Sequence, residues 1–210
     1  MSAQRQIETY EQTYTEAQYW ELEENSSEKH EFIGGQIYTM SGGTFNHTRI
    51  CGNVFAAANF RLRDKPCDVH SSEQKVKSEK SGNTYYPDAV IFCPPSRFTG
   101  TGNHTLLTPT VIFEVLSPAT ESHDRGSKFR AYQQIESLTD YVLIEAEQIS
   151  IDHYRRQSNG WLLRTYTKRD DVLSFPDLEI ELPLAEIYES LDVPEALYLI
   201  SPPQLSDDED

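Results

Sequence analysis

Thr110-Val-Ile-Phe-Glu-Val-Leu116 is the most apolar run in the chain, seven residues with a single acid, Glu114, inside it. Its length, its β-branched content and the flanking Pro109 and Pro118 predict a central strand buried on both faces. A carboxylate in such a strand costs several kcal/mol, by general transfer energetics roughly 2–7 for an uncompensated polar group, unless it is paired, protonated or metal-bound. The next acid of the same kind is Asp88, which opens the apolar stretch Ala-Val-Ile-Phe-Cys. Each acid alone also fits a solvent-facing side chain at a sheet edge. Two on neighbouring strands fit a hard divalent cation, which takes one or two carboxylates and keeps waters for a phosphate.

The elements around this strand read outward from it. Thr15 is placed to cap a helix over Glu16–Asn25. HEFIGGQIYTM predicts a strand pair turning at Gly34-Gly35, and Phe45 to Arg63 has helical spacing with Ile50, Val54, Phe55, Ala58 and Leu62 on one face. CDVHSSEQKVK reads as one loose strand, YYPDAVIFC as another with its proline at the start, and SRFTGTGNHT as a polar loop. After Leu116, Ser122 or Asp124 is expected to cap a helix running to about Glu136. DYVLIEA, ISIDHY and WLLRTYT follow as strands, with a hairpin turn at Glu147-Gln148, and FPDLEIELPLAEIYESL gives a short strand and a short final helix. The fold class is therefore mixed α/β or α+β, one sheet flanked by helices. The expected domain spans 15–195, between a loose segment over 1–14 and a Pro-rich acidic tail over 196–210.

Composition narrows the function classes. At 210 residues with 37% hydrophobic content, the chain holds enough apolar material for a core. No apolar stretch is long enough for a membrane span, and the N-terminus lacks an apolar leader, so a cytoplasmic location is expected. Cys51, Cys67 and Cys93 are odd in number and widely spaced, and read as reduced, mostly buried thiols; the N-x-S/T matches at Asn25, Asn46 and Asn103 read as chance. The net charge of −16 is concentrated at the two ends, leaving residues 32–169 at +3. Arg61, Arg63, Lys65, Lys75, Lys77 and Lys80 in that middle are either a phosphate-facing surface or a solvated face. No Gly-Lys-Ser/Thr follows Gly42-Gly43 and no G-x-S-x-G occurs, which excludes a P-loop and a nucleophile-elbow hydrolase.

HDRGSKFRAYQQ places Asp124, Lys128 and Tyr132 at i, i+4 and i+8 on one helix stripe. The spacing describes either an exposed Asp–Lys pair worth a few tenths of a kcal/mol or an ammonium aimed at the two acids. Pro87-Asp88 followed by Glu114-Val115-Leu116 resembles the PD-(D/E)xK nuclease superfamily. The longer pattern of HEFIGGQIYTMSGG, YYPDAVIFC, VIFEVLSPATESHDRGSKFRAYQ, DYVLIEA and HYRR is similar to the Uma-type restriction-endonuclease family, over about residues 28–190.

The resemblance implies a restriction-endonuclease-like domain and a Mg²⁺- or Mn²⁺-dependent endonuclease acting on DNA. Asp88 and Glu114 match the two metal-binding acids, the Val115 carbonyl the third protein ligand, and Glu31 an early acid that completes the metal shell. The superfamily lysine position is Leu116 here, and Lys128 matches a lysine moved onto the next helix, with Asp124 and Tyr132 orienting it. His47, Ser72 and Glu73 match polar positions that could face substrate; His47 equally fits an idle helix-start side chain, and Glu31 an exposed strand end. Cutting both strands suggests a homodimer. Two other readings stay open: a catalytically inactive module of the same fold binding nucleic acid or protein, and an acidic partner-binding protein using residues 170–210.

Overall fold

The computed structural model describes residues 13–100 and 104–196. In chain order the first elements are α1 (Glu16–Asn25), β1 (His30–Ile33), β2 (Gln36–Thr39) and α2 (Phe45–Leu62). Short strands follow: β3 (Asp68–Ser71), β4 (Lys75–Lys77), β5 (Thr84–Tyr85), β6 (Ala89–Phe92), β7 (Phe98–Thr99) and β8 (Thr105–Leu106). Then come β9 (Val111–Leu116) and a helical segment made of α3 (Glu121–His123), a π-helical turn (Asp124–Lys128) and α4 (Phe129–Tyr132). The last part holds β10 (Asp140–Glu145), β11 (Ile151–Gln157), β12 (Gly160–Tyr166), β13 (Val172–Phe175), β14 (Ile180–Pro183) and α5 (Leu184–Ile187).

The central sheet has the order β12-β11-β10-β9-β6-β3, with β9 and β10 parallel and the other pairs antiparallel. Alternation along β9 sends Val111, Phe113 and Val115 into one core and Ile112 and Leu116 into the other. The first core packs under α2, α5, β13 and β14; the second packs Tyr85, Leu106, Phe129 and Tyr132 against the opposite face. Both faces of β9 are therefore covered, which is why its sequence is a continuous apolar run. A second sheet, β2-β1-β5-β4-β8-β7, lies over the Glu114 side.

Local chemistry accounts for the boundaries. Thr15 and Gln18 form a reciprocal capping box on α1. Thr44 caps α2 by accepting from the His47 amide. Gly34 and Gly35 have φ of 58° and 84°, as a two-residue hairpin turn between β1 and β2 requires.

Several expectations are corrected. CDVHSSEQKVK is two strands in different sheets, because a turn at residues 72–74 redirects the chain from β3 to β4. YYPDAVIFC divides between β5 and β6, leaving Pro87 and Asp88 outside both ladders. The polar loop SRFTGTGNHT contributes β7 and the first residue of β8, strands that pair through Phe98↔Leu106 and Thr99↔Thr105. Strand β13 has no counterpart in the sequence reading. Neither Ser122 nor Asp124 caps the helical segment: Thr120 holds the cap position, and Asp124 is buried inside. The segment stops at Tyr132, and Arg156 takes the Gln133, Ile135 and Leu138 carbonyls at 3.0, 2.7 and 2.6 Å.

The reduced-thiol expectation is corrected for two cysteines. Cys67 and Cys93 form a disulfide, one register step beyond the β3–β6 pair Asp68↔Phe92, and Cys51 is free. Among the described residues no helix is long and apolar enough to cross a membrane. The expected loose terminus and acidic tail lie, for residues 1–12 and 197–210, outside the described residues. Tyr14, assigned to the loose segment, donates its amide to the Gly35 carbonyl at 2.7 Å.

Candidate active site

The site forms where β9 leaves its pairing with β6. The last backbone pair is Ala89↔Phe113, and one step on the Asp88 carboxylate takes the ladder's place, accepting the Val115 amide at 2.7 Å. Pro87 has no amide to offer a ladder, so the chain is free to depart here and aim Asp88 at β9. Glu114 follows the alternation that carries Ile112 and Leu116 into the second core, and is only 3% exposed. Leu116 itself packs in that core, so no ammonium can come from the superfamily lysine position.

Lys128 supplies the charge from the helical segment. Its Nζ lies 2.8 Å from Glu114 Oε1, 3.3 Å from Glu31 Oε1 and 3.5 Å from Asp124 Oδ1. Tyr132 donates its hydroxyl to Glu114 Oε1 at 3.3 Å, and the Tyr85 ring lies 5.6 Å from Nζ. The same Glu31 oxygen, Oε1, also accepts the Tyr86 amide at 3.1 Å. Asp124 and Lys128 are both buried, so they are not an exposed helix pair. The π turn between them is a single-turn insertion of the kind that recurs at functional sites.

His47 enters from the first turn of α2. Its Nε2 is 3.4 Å from Asp88 Oδ2, and the Val115 carbonyl also faces the ring. The histidine thus faces two of the four groups that the resemblance assigns to a metal, the Asp88 carboxylate and the Val115 carbonyl. Gly43 makes room for it, since a Cβ at that position would lie 2.5 Å from His47 Nδ1. Cys51, one helical turn on, places Sγ 3.5 Å from the same Nδ1.

The electrostatics follow from the crowding. Burial pushes Glu114 well up, and the nearby Asp124 and Asp88 add to it against the pull of Lys128. Burial works against the Lys128 ammonium, but Glu114 and Glu31 outweigh it and hold the lysine charged. Burial also opposes ionisation of Asp88, yet His47 and the Val115 amide bring it below the usual carboxylate range. The Asp88 hydrogen bond raises His47 against its burial.

Four carboxylates therefore surround one ammonium and one imidazole. Among the described residues Glu114 Oε2 receives no protein donor, and the Asp88 carboxylate meets only the Val115 amide, His47 and the Cys51 thiol. Carboxylate oxygens with spare lone pairs, in a pocket short of positive charge, fit a divalent cation.

Ser72 and Glu73 are not drawn into this cluster. They sit in the turn between β3 and β4, where the Ser72 carbonyl accepts from Lys29 and the exposed Glu73 pairs with Lys29 at 2.5 Å. His153 is a buried structural residue bonded to Asp140 at 2.6 Å. The basic candidates are mostly engaged: Arg61 with Glu186, Lys65 with Glu179, Lys77 with Glu16 and Lys80 with Glu136. Sequence reasoning missed Gly43, Cys51, Tyr85 and Tyr86; only the i, i+4 spacing of His47 and Cys51 was a readable signal.

A mixed sheet whose buried middle strand carries an acid beside a second acid, with the flanking helices and added sheet seen here, is a restriction-endonuclease-like architecture. The chain belongs to the Uma2 family, described as "Putative restriction endonuclease", whose model matches residues 16–185. It is 33% identical over 175 residues to the uncharacterized protein slr1290 of Synechocystis, covering 83% of this chain and 90% of that one. It is 28% identical over 167 residues to the uncharacterized protein sll1609 of the same organism, covering 79% and 94%. A crystal structure described as a putative nuclease belonging to DUF820, from Anabaena variabilis, shares the fold. The TM-score is 0.66 at 15% identity, covering 82% of this chain and 96% of that one.

Proposed function

We propose that this protein is a Mg²⁺- or Mn²⁺-dependent endonuclease that hydrolyses DNA phosphodiester bonds. The observation that carries the reading is the buried contact of Lys128 with Glu114 and Glu31, beside an Asp88 carboxylate pinned by the Val115 amide. Asp88, Glu114, Glu31 and the Val115 carbonyl are the groups that would hold the ion. When bound, such an ion lowers the pKa of a water and neutralises charge on the scissile phosphate.

The chain's own residues divide the remaining work. Lys128 orients Glu114 and Glu31 and draws the Glu114 carboxyl back toward ionisation against its burial, with Tyr132 bracing Glu114 and Asp124 bracing Lys128. His47 is the more exposed of the two cationic groups, and its charged form, favoured by Asp88, suits a phosphate oxygen. Binding to a polyanion is expected to be salt-dependent and to need the ion, since the carboxylates otherwise repel the backbone. Two-strand cleavage further suggests a two-fold homodimer.

A metal-dependent cleavage assay on single- and double-stranded DNA and RNA, with Asp88→Ala alongside, tests this reading. Cleavage lost in Asp88→Ala supports it; cleavage unaffected by that change, or by removal of divalent ions, overturns it. The pairing of most candidate basic residues with local carboxylates favours a second reading, a non-cleaving module of the same fold. Metal binding without cleavage of any nucleic acid would identify it.

A further inference from the structure

We propose that His47, Cys51 and Asp88 form a site for a borderline-soft transition-metal ion of the Zn²⁺ or Co²⁺ type, overlapping the hard-cation site at Asp88. It stands on contacts separate from those of Glu114 and Lys128.

One ligand atom from each of the three residues lies within 4.8 Å of the others. The Cys51 Sγ to His47 Nδ1 distance is 3.5 Å and the His47 Nε2 to Asp88 Oδ2 distance is 3.4 Å. Tetrahedral zinc, with bonds of about 2.0–2.3 Å, holds its ligand atoms roughly 3.3–3.6 Å apart. Each measured separation has that size, but they run to opposite ring nitrogens, and with one nitrogen chosen the three ligand atoms lie within 4.8 Å of one another. Since one histidine offers one nitrogen to one ion, binding requires the third ligand atom to close in from that spacing by a small side-chain adjustment.

The positioning is built into the fold. Thr44 fixes the first turn of α2, which sets His47 and Cys51 one turn apart on the side facing Asp88. Gly43 leaves the space in which the imidazole sits. None of the three side chains is freely exposed, and the Val115 amide holds the Asp88 carboxylate in place.

The donor set decides the metal. Imidazole and thiolate select zinc-like ions, whereas Mg²⁺ avoids sulfur and prefers oxygen alone. On binding, the Cys51 thiol gives its proton to solvent as the metal–sulfur bond forms. Three protein ligands leave a fourth position for water. Because Asp88 belongs to both donor sets, occupation by Zn²⁺ removes it from the hard-cation pair, so zinc competes with Mg²⁺.

The test uses the full chain, stripped of metal by chelation with the Cys67–Cys93 disulfide intact, and titrated with Co²⁺ and Zn²⁺. Wild type should show a thiolate-to-cobalt charge-transfer band. Cys51→Ser should abolish that band, and Cys51→Ser and His47→Gln should each weaken Zn²⁺ binding by about tenfold or more. Glu114→Gln should keep the band while losing Mg²⁺-supported cleavage, which separates this site from the nuclease reading. Thermal melts establish that each variant is folded. A wild-type cobalt complex without the band, or a band that survives Cys51→Ser, overturns the proposal. Zn²⁺ affinity unchanged in folded His47→Gln also overturns it.

Discussion

Lys128 Nζ and Glu114 Oε1 are 2.8 Å apart, in side chains only 6% and 5% exposed, so neither charge can turn to water for relief. Removing one partner of a buried pair costs about 3–5 kcal/mol, most of it the penalty for the charge left behind. Lys128→Met is therefore expected to lower the urea-unfolding free energy by about 3 kcal/mol. Glu114→Gln should cost less, because Lys128 keeps Glu31 and Asp124. The double variant should fall well short of the summed losses. Any cleavage rate should drop about a hundredfold or more in Lys128→Met, the scale of losing a positioned electrostatic group. Equal stability of Lys128→Met and wild type would contradict the pairing.

The residues that make this pair were legible from sequence for different reasons. Glu114 was conspicuous because alternation in a doubly covered strand leaves an acid nowhere neutral to go. Lys128 was visible only as a spacing, equally consistent with a solvent-facing helix pair; its burial depends on where the helical segment crosses the sheet. The π turn over Asp124–Lys128 has no sequence signature, and it moved the expected cap residue Asp124 into the interior. Strands β7 and β8 have two residues each, too few to establish a period. The meeting of His47 with Asp88 joins residues 41 positions apart and needs the packing of α2 on the sheet, which no local pattern contains.

Arg125 ties the helical segment to the sheet beneath it. Its guanidinium reaches Glu121 at 2.8 Å, Glu145 on β10 at 2.6 Å and Asp152 on β11 at 2.5 Å. The side chain is 30% exposed, so solvent screening discounts each pair, but three carboxylates on one planar fork form a network. Arg125→Met is expected to cost about 1–2 kcal/mol in urea unfolding, and Arg125→Lys to restore only part of it. Hydrogen exchange should locate the added mobility in residues 121–132. Full rescue by lysine would mean that net charge, not the fork geometry, is what matters.

The Cys67–Cys93 bond links strands β3 and β6 across a sequence separation of 26 residues. Closing a loop of that size in the unfolded chain is worth about 3.5 kcal/mol in the loop-entropy account. A reductant should therefore lower the unfolding midpoint of wild type and of Cys51→Ser alike. Cys67→Ser should start at the lower midpoint and show no response to reductant. A reductant effect confined to chains that contain Cys51 would assign the linkage to the wrong cysteine.

His123 provides a pH-dependent prediction whose sign can be worked out. Its Nδ1 faces Ser127 Oγ at 2.7 Å, while its Nε2 is buried without a partner among the described residues. Burial, aided by the nearby Lys128, holds the imidazole below the ordinary histidine value. In the unfolded chain the same group takes up its proton near the usual value of about 6.5. Protonation therefore favours the unfolded state: the folded chain keeps its full stability above that pH and loses some as pH falls through and below it. His123→Gln keeps a polar side chain of similar reach without the titration. Its denaturant midpoint should decline less than that of wild type between pH 7.5 and pH 5 (~ values bracketing the histidine range). A wild-type midpoint that falls in parallel with that of His123→Gln over this interval would show that other groups carry the acid sensitivity.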